Sequence, residues 1–240
     1  MSDRVQPEDL HFVSAVSDWA VAQQRLLASP CLQPGRRRLT LQLNAASAAQ
    51  AVNPVLDGGA AGRWLVWLHQ DVFLPEGWDG LLAQRLQAAL QQWPDLAVAG
   101  VYGVSGAGAQ ARHAGHVLDR GQDLRGPAAL PCQADSLDEL LLVLRADGGL
   151  RLDAALGFDF YATDVVLQAR QAGLPAVVLE AFCEHWSNLP VNAPISSALQ
   201  ERIAASAERF ERKWQHALPV TTPCFDIRQP GDCRAYLKTV

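Results

Sequence analysis

The sequence predicts an α/β fold, with a central, mostly parallel sheet flanked by helices. Two observations carry this expectation. From Leu10 to Val104, strand-like runs alternate with helical patterns, and such alternation favours parallel strands with helices on both faces. Within it, the apolar run Trp64-Leu65-Val66-Trp67-Leu68 ends in His69-Gln70-Asp71, before Val72-Phe73-Leu74-Pro75. Polar, metal-binding side chains thus close a buried strand, and the C-terminal ends of such strands are where open α/β sheets bind ligands.

The elements follow in order. Leu10 to Val16 is apolar and β-branched enough for a first strand, and Ser17-Asp18 supplies an N-cap for a helix through Leu27 that Pro30 follows. Leu39, Leu41 and Leu43 alternate with Thr40, Gln42 and Asn44, which predicts a second strand. Ser47 then caps a helix toward Leu56, stopped by Gly58-Gly59. Trp64 to Leu68 is the third strand. Asp79 can cap a long helix with Leu81, Leu82, Leu86 and Leu90 on one face, ended near Pro94. Leu96 to Val104 reads as a fourth strand.

The regularity then breaks. Gly103 to Gly126 is Gly-rich, contains His113, His116 and Asp119, and lacks a clean period, so an irregular functional or mobile loop is expected. Asp138 to Arg145 fits a strand or a short buried helix. Thr163 to Ala172 is helical, closed by Gly173 and Pro175, and Ala176 to Phe182 returns as a strand. Ile195 to Trp214 reads as an exposed amphipathic helix. Residues 1–217 are expected to form a single domain and 218–240 a poorly packed C-terminal tail.

Composition narrows the function classes. With 49% hydrophobic and 19% charged residues the chain is globular, and no segment approaches the roughly 20 apolar residues of a membrane span. The acidic, polar first residues carry no apolar signal core, so a cytoplasmic protein is expected. Cys31, Cys132, Cys183, Cys224 and Cys233 form no C-x-x-C pair and suggest reduced thiols. A net charge of -5 argues against a nucleic-acid partner. The one basic run, Arg36-Arg37-Arg38, reads as a solvated edge before a strand, or as a membrane or phosphate patch.

Three constellations carry chemistry: His69-Gln70-Asp71, Asp164 near a helix start, and His185 past a strand. Their order and context resemble the glycosyltransferase family 2-like superfamily with the GT-A fold, in the bacterial branch where H-Q-D-V replaces D-x-D. His69-Gln70-Asp71-Val72 matches that tetrapeptide. The resemblance continues through Ser47, Ala51-Val52-Asn53, Gly100-Val101, Asp135 to Arg145, Phe158 to Arg170 and Cys183 to Ser187, covering about residues 11–190.

The resemblance implies transfer of a sugar from a nucleotide diphosphate sugar to an acceptor hydroxyl. It makes Asp71 the primary ligand of Mn²⁺ or Mg²⁺ and His185 a second ligand, or a hydrogen-bonded structural residue. His69, on the same strand face as Asp71, either ligates or orients the carboxylate. Asp164 matches the base of inverting family members, with Thr163 where glutamate often stands and Arg170 at a basic position. An Asp or Thr at a helix start is also a common cap. Ser14, Val16 and Asp18 after the first strand, Asn44 after the second, and Gln70 with Asp71 are the implied nucleotide-sugar contacts. Trp78, Asp159 and Trp186 are candidates for the sugar or acceptor, whereas Trp64 and Trp67 are expected in the core.

Family acceptors imply a saccharide or lipid-linked partner, and with it peripheral contact with the inner membrane face. Thr163, Asp159 in place of histidine, and Trp186 before Ser187 depart from the family pattern. They motivate a second hypothesis, a catalytically silent nucleotide-sugar binding or scaffold module. A metal-dependent phosphoester hydrolase would rest on the His and Asp inventory alone. His113, His116 and Asp119 lack ligand spacing and read as surface or acceptor-loop residues.

Overall fold

A computed structural model describes residues 4–59, 62–186 and 195–239. Its elements in chain order are β1 (Leu10–Val16), α1 (Trp19–Gln24), β2 (Arg38–Leu43), α2 (Ala48–Asp57), β3 (Trp64–Leu68), β4 (Val72–Phe73) and α3 (Trp78–Gln92). There follow β5 (Val98–Gly100), β6 (Tyr102–Ser105), β7 (Arg112–Asp119), β8 (Gln122–Arg125), β9 (Cys132–Gln133), β10 (Ser136–Leu137) and β11 (Leu141–Arg145). The C-terminal part holds α4 (Tyr161–Gln171), β12 (Ala176–Val178), β13 (Cys183–His185), α5 (Ser197–Lys213), β14 (Val220–Thr221), β15 (Asp226–Ile227) and α6 (Asp232–Leu237).

A seven-stranded sheet in the order β2-β1-β3-β11-β5-β12-β9 forms the centre. Strands β2, β1, β3, β5 and β12 run one way, and β11 and β9 run against them. The alternation of β3 explains the layers. Trp64, Val66 and Leu68 join α3 residues Trp78, Leu82 and Leu86 on one face. Leu65 and Trp67 join Val52 of α2 and Val165 of α4 on the other. Both faces are covered, which is why β3 is apolar throughout. Each fully buried leucine there contributes about 1.5–3 kcal/mol.

A second, six-stranded sheet holds β10-β6-β7-β13-β4, with β8 paired to β7. The expected strand Leu96 to Val104 divides at Val101, so that β5 stays in the central sheet and β6 enters the second. Gly115 makes this possible: its φ is +101°, and a Cβ there would lie 2.0 Å from the Val101 carbonyl oxygen. The expected strand Ala176 to Phe182 is cut short: β12 ends at Val178 in the central sheet, and the chain enters the second sheet only at Cys183, as β13.

The expected irregular loop from Gly103 to Gly126 contains the β7–β8 hairpin. Arg120 and Gly121 at its tip have φ of 49° and 81°, the two positive values a type I′ turn requires. The segment left open between strand and helix is strand β11, held by β3 and β5.

Several helix ends shift. Helix α1 stops at Gln24 and gives way to two 3₁₀ turns. Gly77 rather than Asp79 occupies the N-cap of α3, while Asp79 pairs with Arg37 at 2.6 Å. Helix α4 starts at Tyr161, two residues before Thr163, whose buried hydroxyl has no partner among the described residues.

The expected tail is packed instead. Val220, Ile227 and Cys233 are buried with Phe160 of the α4 entry and Phe210 of α5. Buried Glu211 accepts the Gly231 amide at 2.7 Å and the Cys233 amide at 3.2 Å, satisfying the start of α6. One side of α5 is therefore core, not solvent.

Candidate functional site

Strand pairing assembles the site. Asp71 lies between β3 and β4; β13 pairs antiparallel with β4, placing His185 opposite Val72, and the Trp186 amide donates to the Asp71 carbonyl at 3.1 Å. On its other side β13 pairs with β7, placing His185 beside Asp119. As a result His69, Asp71 and His185 each offer a ligand atom within 4.8 Å of the others. Two imidazoles and a carboxylate suit Mn²⁺ and accept Mg²⁺ less readily.

The surrounding hydrogen bonds prepare both rings. Tyr161 donates its hydroxyl proton to the Glu139 carbonyl at 2.6 Å and accepts Trp67 Nε1–H at 2.9 Å. His69 Nε2 lies 2.9 Å from the same oxygen and must therefore be a donor, which leaves the Nδ1 lone pair as the ligating atom. Burial, and then the charge of His185, lowers the His69 pKa to about 4, so the ring is neutral, as ligation requires.

His185 Nδ1 lies 2.8 Å from Asp119 Oδ1, and Nε2 lies 3.3 Å from Asp71 Oδ1. Burial opposes charge on this ring, but the two carboxylates overcome it and raise its pKa to about 10. The same proton is what a cation would displace from Nε2. Burial acts to raise the Asp71 pKa, but the hydrogen bond and charge of His185 outweigh it and hold the carboxyl below its ordinary range. Asp138 and Glu139, at the turn into β11, are shifted the opposite way. Burial raises both: at Asp138 it outweighs the Leu140 amide and the charge of His185, and at Glu139 the Asp138 and Asp159 carboxylates add to it and bring the pKa to about 8.

Beside this cluster is a cavity of about 260 Å³ whose wall includes Val16, Trp67, His69, Gln70, Asp71 and Arg202. Gln70 ties its floor together: Oε1 accepts the Ser17 and Asp18 amides, each at 2.9 Å, and Nε2 donates to Ser17 Oγ at 3.2 Å. The loop after β1 is thereby fixed to the loop after β3.

No protein-family model matches the chain. A curated relative from Fuscovulum blasticum, described as "ATP synthase subunits region ORF 6", is 33% identical over 166 residues, covering 64% of this chain and 61% of that protein. The chain thus spans less than two thirds of that relative. Among solved structures, a mannosyltransferase from Pyrobaculum calidifontis in complex with GDP-Man and Mn²⁺ superimposes with a TM-score of 0.51 at 10% identity. The match covers 98% of this chain and 71% of that one. The chain has the GT-A fold. GalNAc-T7 with UDP, GalNAc and Mn²⁺ gives a TM-score of 0.49 at 13% identity, covering 96% of this chain and 54% of that one.

Within this GT-A frame the expected residues separate into two groups. His69, Asp71 and His185 converge, with Gln70 and Val16 at the cleft wall. Asp18 meets the cleft loop through its amide, while its carboxylate caps α1 by accepting the Val21 amide at 3.1 Å. Ser14 is buried inside β1, and exposed Asn44 turns the chain after β2 with φ of 51°. Neither lines the cavity.

The expectations for Trp78 and Asp164 need correction. Trp78 is 2% exposed, packs on Phe12 at a centroid distance of 6.3 Å, and cannot stack on a ligand. One face of Trp186 carries the Arg25 guanidinium at 4.3 Å. Asp164 is 0% exposed, and its oxygens are taken by Gln168 at 2.6 Å, Trp214 Nε1 at 2.7 Å and Lys213 at 2.7 Å. It is enclosed by α5 and does not reach the cavity. Asp159 instead pairs with the cavity residue Arg202 at 3.0 Å. Arg170 pairs with Asp135, outside the cavity wall. Ser187, in the matched segment, lies outside the described residues.

Asp119, read from the sequence as a surface or acceptor-loop residue, belongs to the site, and Tyr161 and Arg202 are the site residues that sequence reasoning missed. A hairpin signal at Arg120-Gly121 would have put Asp119 on a strand end. Tyr161 and Arg202 carry no local signal.

Proposed function

We propose that the protein is a metal-dependent, inverting glycosyltransferase of the family 2-like type, moving a sugar from a nucleoside diphosphate sugar to an acceptor hydroxyl. The convergence of His69, Asp71 and His185 at the wall of a cleft carries this proposal. His69 Nδ1, Asp71 and His185 Nε2 would hold Mn²⁺ or Mg²⁺. The bound cation supplies charge that stabilises the diphosphate as it departs.

The chain's own groups do the rest. Tyr161 and Asp119 hold the two imidazoles in the tautomers that ligation needs. Gln70 fixes the loop after β1, where the nucleotide would lie. Of the carboxylates flanking the start of α4, Asp159 meets the cleft through Arg202 and Asp164 is enclosed, so the acceptor-side base is assigned to Asp159. It takes the hydroxyl proton as the acceptor oxygen bonds to the anomeric carbon and the bond to the diphosphate breaks. The solved Pyrobaculum mannosyltransferase, which shares this fold, is in complex with GDP-Man and Mn²⁺. A saccharide or lipid-linked acceptor fits the same chemistry. Among the described residues no helix is long and apolar enough to cross a membrane.

A panel of UDP- and GDP-sugars with Mn²⁺ and saccharide acceptors tests the proposal. Release of nucleoside diphosphate that is lost with chelator and in Asp71→Ala supports it. Tight donor binding without turnover across the panel favours a silent binding module, for which the enclosure of Asp164 is the motivating observation.

A further inference from the structure

Helix α5 delivers one cation to the cleft. Arg202 lines the cavity with His69, Gln70 and Asp71, and it is the one Arg or Lys among the described lining residues. Its side chain is 55% exposed, so the guanidinium is already at the cavity surface and free to reorient. One nitrogen, NH2, lies 3.0 Å from Asp159 Oδ1, while Asp159 Oδ2 accepts Ser206 Oγ at 3.2 Å. The position of α5 is set independently of this pair, by Phe210 and Trp214 packed into the cluster around Phe160.

Charge counting shows why a second cation belongs here. A divalent ion held by one carboxylate and two neutral imidazoles has a net charge of about +1. A sugar diphosphate diester carries about two negative charges and the departing nucleoside diphosphate about three, so the metal centre leaves a deficit that grows during bond cleavage. Arginine suits the remaining oxygens, because its planar fork donates to two of them at once. Asp159, whose side chain is 12% exposed, engages one nitrogen of that fork through Oδ1, which leaves the rest of the guanidinium to the cleft.

We infer that Arg202 is the cationic contact for the donor diphosphate, with Asp159 holding it at the cleft until the donor arrives. This assignment rests on the donor chemistry proposed above and names a residue for it. On donor binding the guanidinium exchanges a carboxylate for phosphate oxygens, which also releases Asp159 Oδ1 beside the acceptor while Ser206 holds Oδ2.

The test is calorimetry on the full chain, first with Mn²⁺ alone and then with UDP or GDP at saturating Mn²⁺. Arg202→Ala should bind Mn²⁺ within about 2-fold of wild type and bind the nucleoside diphosphate about 10- to 100-fold more weakly. Arg202→Lys should recover part of the loss, and Asp159→Asn should bind the diphosphate at least as tightly as wild type. Uridine and guanosine, which lack phosphate, should show no difference between wild type and Arg202→Ala. Unchanged diphosphate binding in Arg202→Ala would overturn the assignment, as would an equal loss of Mn²⁺ binding. Wild type that takes Mn²⁺ but neither UDP nor GDP would instead overturn the donor chemistry itself.

Discussion

Asp119 and His185 occupy paired positions on β7 and β13 and share a hydrogen bond of 2.8 Å. The bond uses Nδ1 of the ring, so Nε2 is the nitrogen turned toward Asp71. A carboxylate behind a ligating histidine raises its basicity and fixes its tautomer. Asp119→Asn should therefore weaken Mn²⁺ binding by about 10- to 100-fold while the fold is retained. Mn²⁺ titration with circular dichroism as a control checks this, and unchanged affinity would remove Asp119 from the site.

Tyr161 performs the matching task for His69, with Trp67 as a further donor to its hydroxyl. Tyr161→Phe leaves two buried N–H groups without their acceptor. A stability loss of about 1–3 kcal/mol is expected, together with weaker Mn²⁺ binding. Denaturant titration and metal titration on the same sample measure both, and a stable variant with intact metal affinity would contradict the network.

Asp164 and Asp159 should separate stability from turnover. Asp164→Ala leaves Trp214 Nε1 unpaired and Lys213 with only Asp153, at an expected loss of about 2–3 kcal/mol. Asp164→Asn should retain most transfer when assayed below its melting temperature. Asp159→Asn should lower kcat by about 10²- to 10⁴-fold with the melting temperature little changed. The opposite pattern would return the base to Asp164.

Glu139 gives the chain a pH signature. Its folded pKa is raised from 4.5 to about 8, so below pH 4.5 the carboxyl is protonated in both states and its contribution is intact. As pH rises toward 8 the unfolded chain ionises first and stability falls. Glu139→Gln should flatten the decline in melting temperature between pH 5 and 8. Parallel curves for the two proteins would show that Glu139 ionises freely in the fold.

What was legible in the sequence follows from range. Strand β3 and its polar end could be read because an apolar run and the residues terminating it are adjacent. His185 was found through its matched segment. Asp119 was hidden because Gly115 and Gly121 interrupt the alternation of its strand, and its partner is 66 residues away. Trp78 is near Asp71 in sequence, but the first turn of α3 aims it at Phe12. Arg202 sits on the polar face of an amphipathic helix, and only the docking of α5 through Phe210 and Trp214 brings it to the cleft. Those same contacts enclose Asp164, so the position that matched a base has become part of the interior.

Anomalous diffraction from crystals grown with Mn²⁺ and UDP or GDP tests the central claim most directly. One manganese peak bound by His69 Nδ1, Asp71 and His185 Nε2, with diphosphate oxygens completing its coordination, is the expected result. A peak elsewhere, or a nucleotide bound away from this cleft, would contradict it.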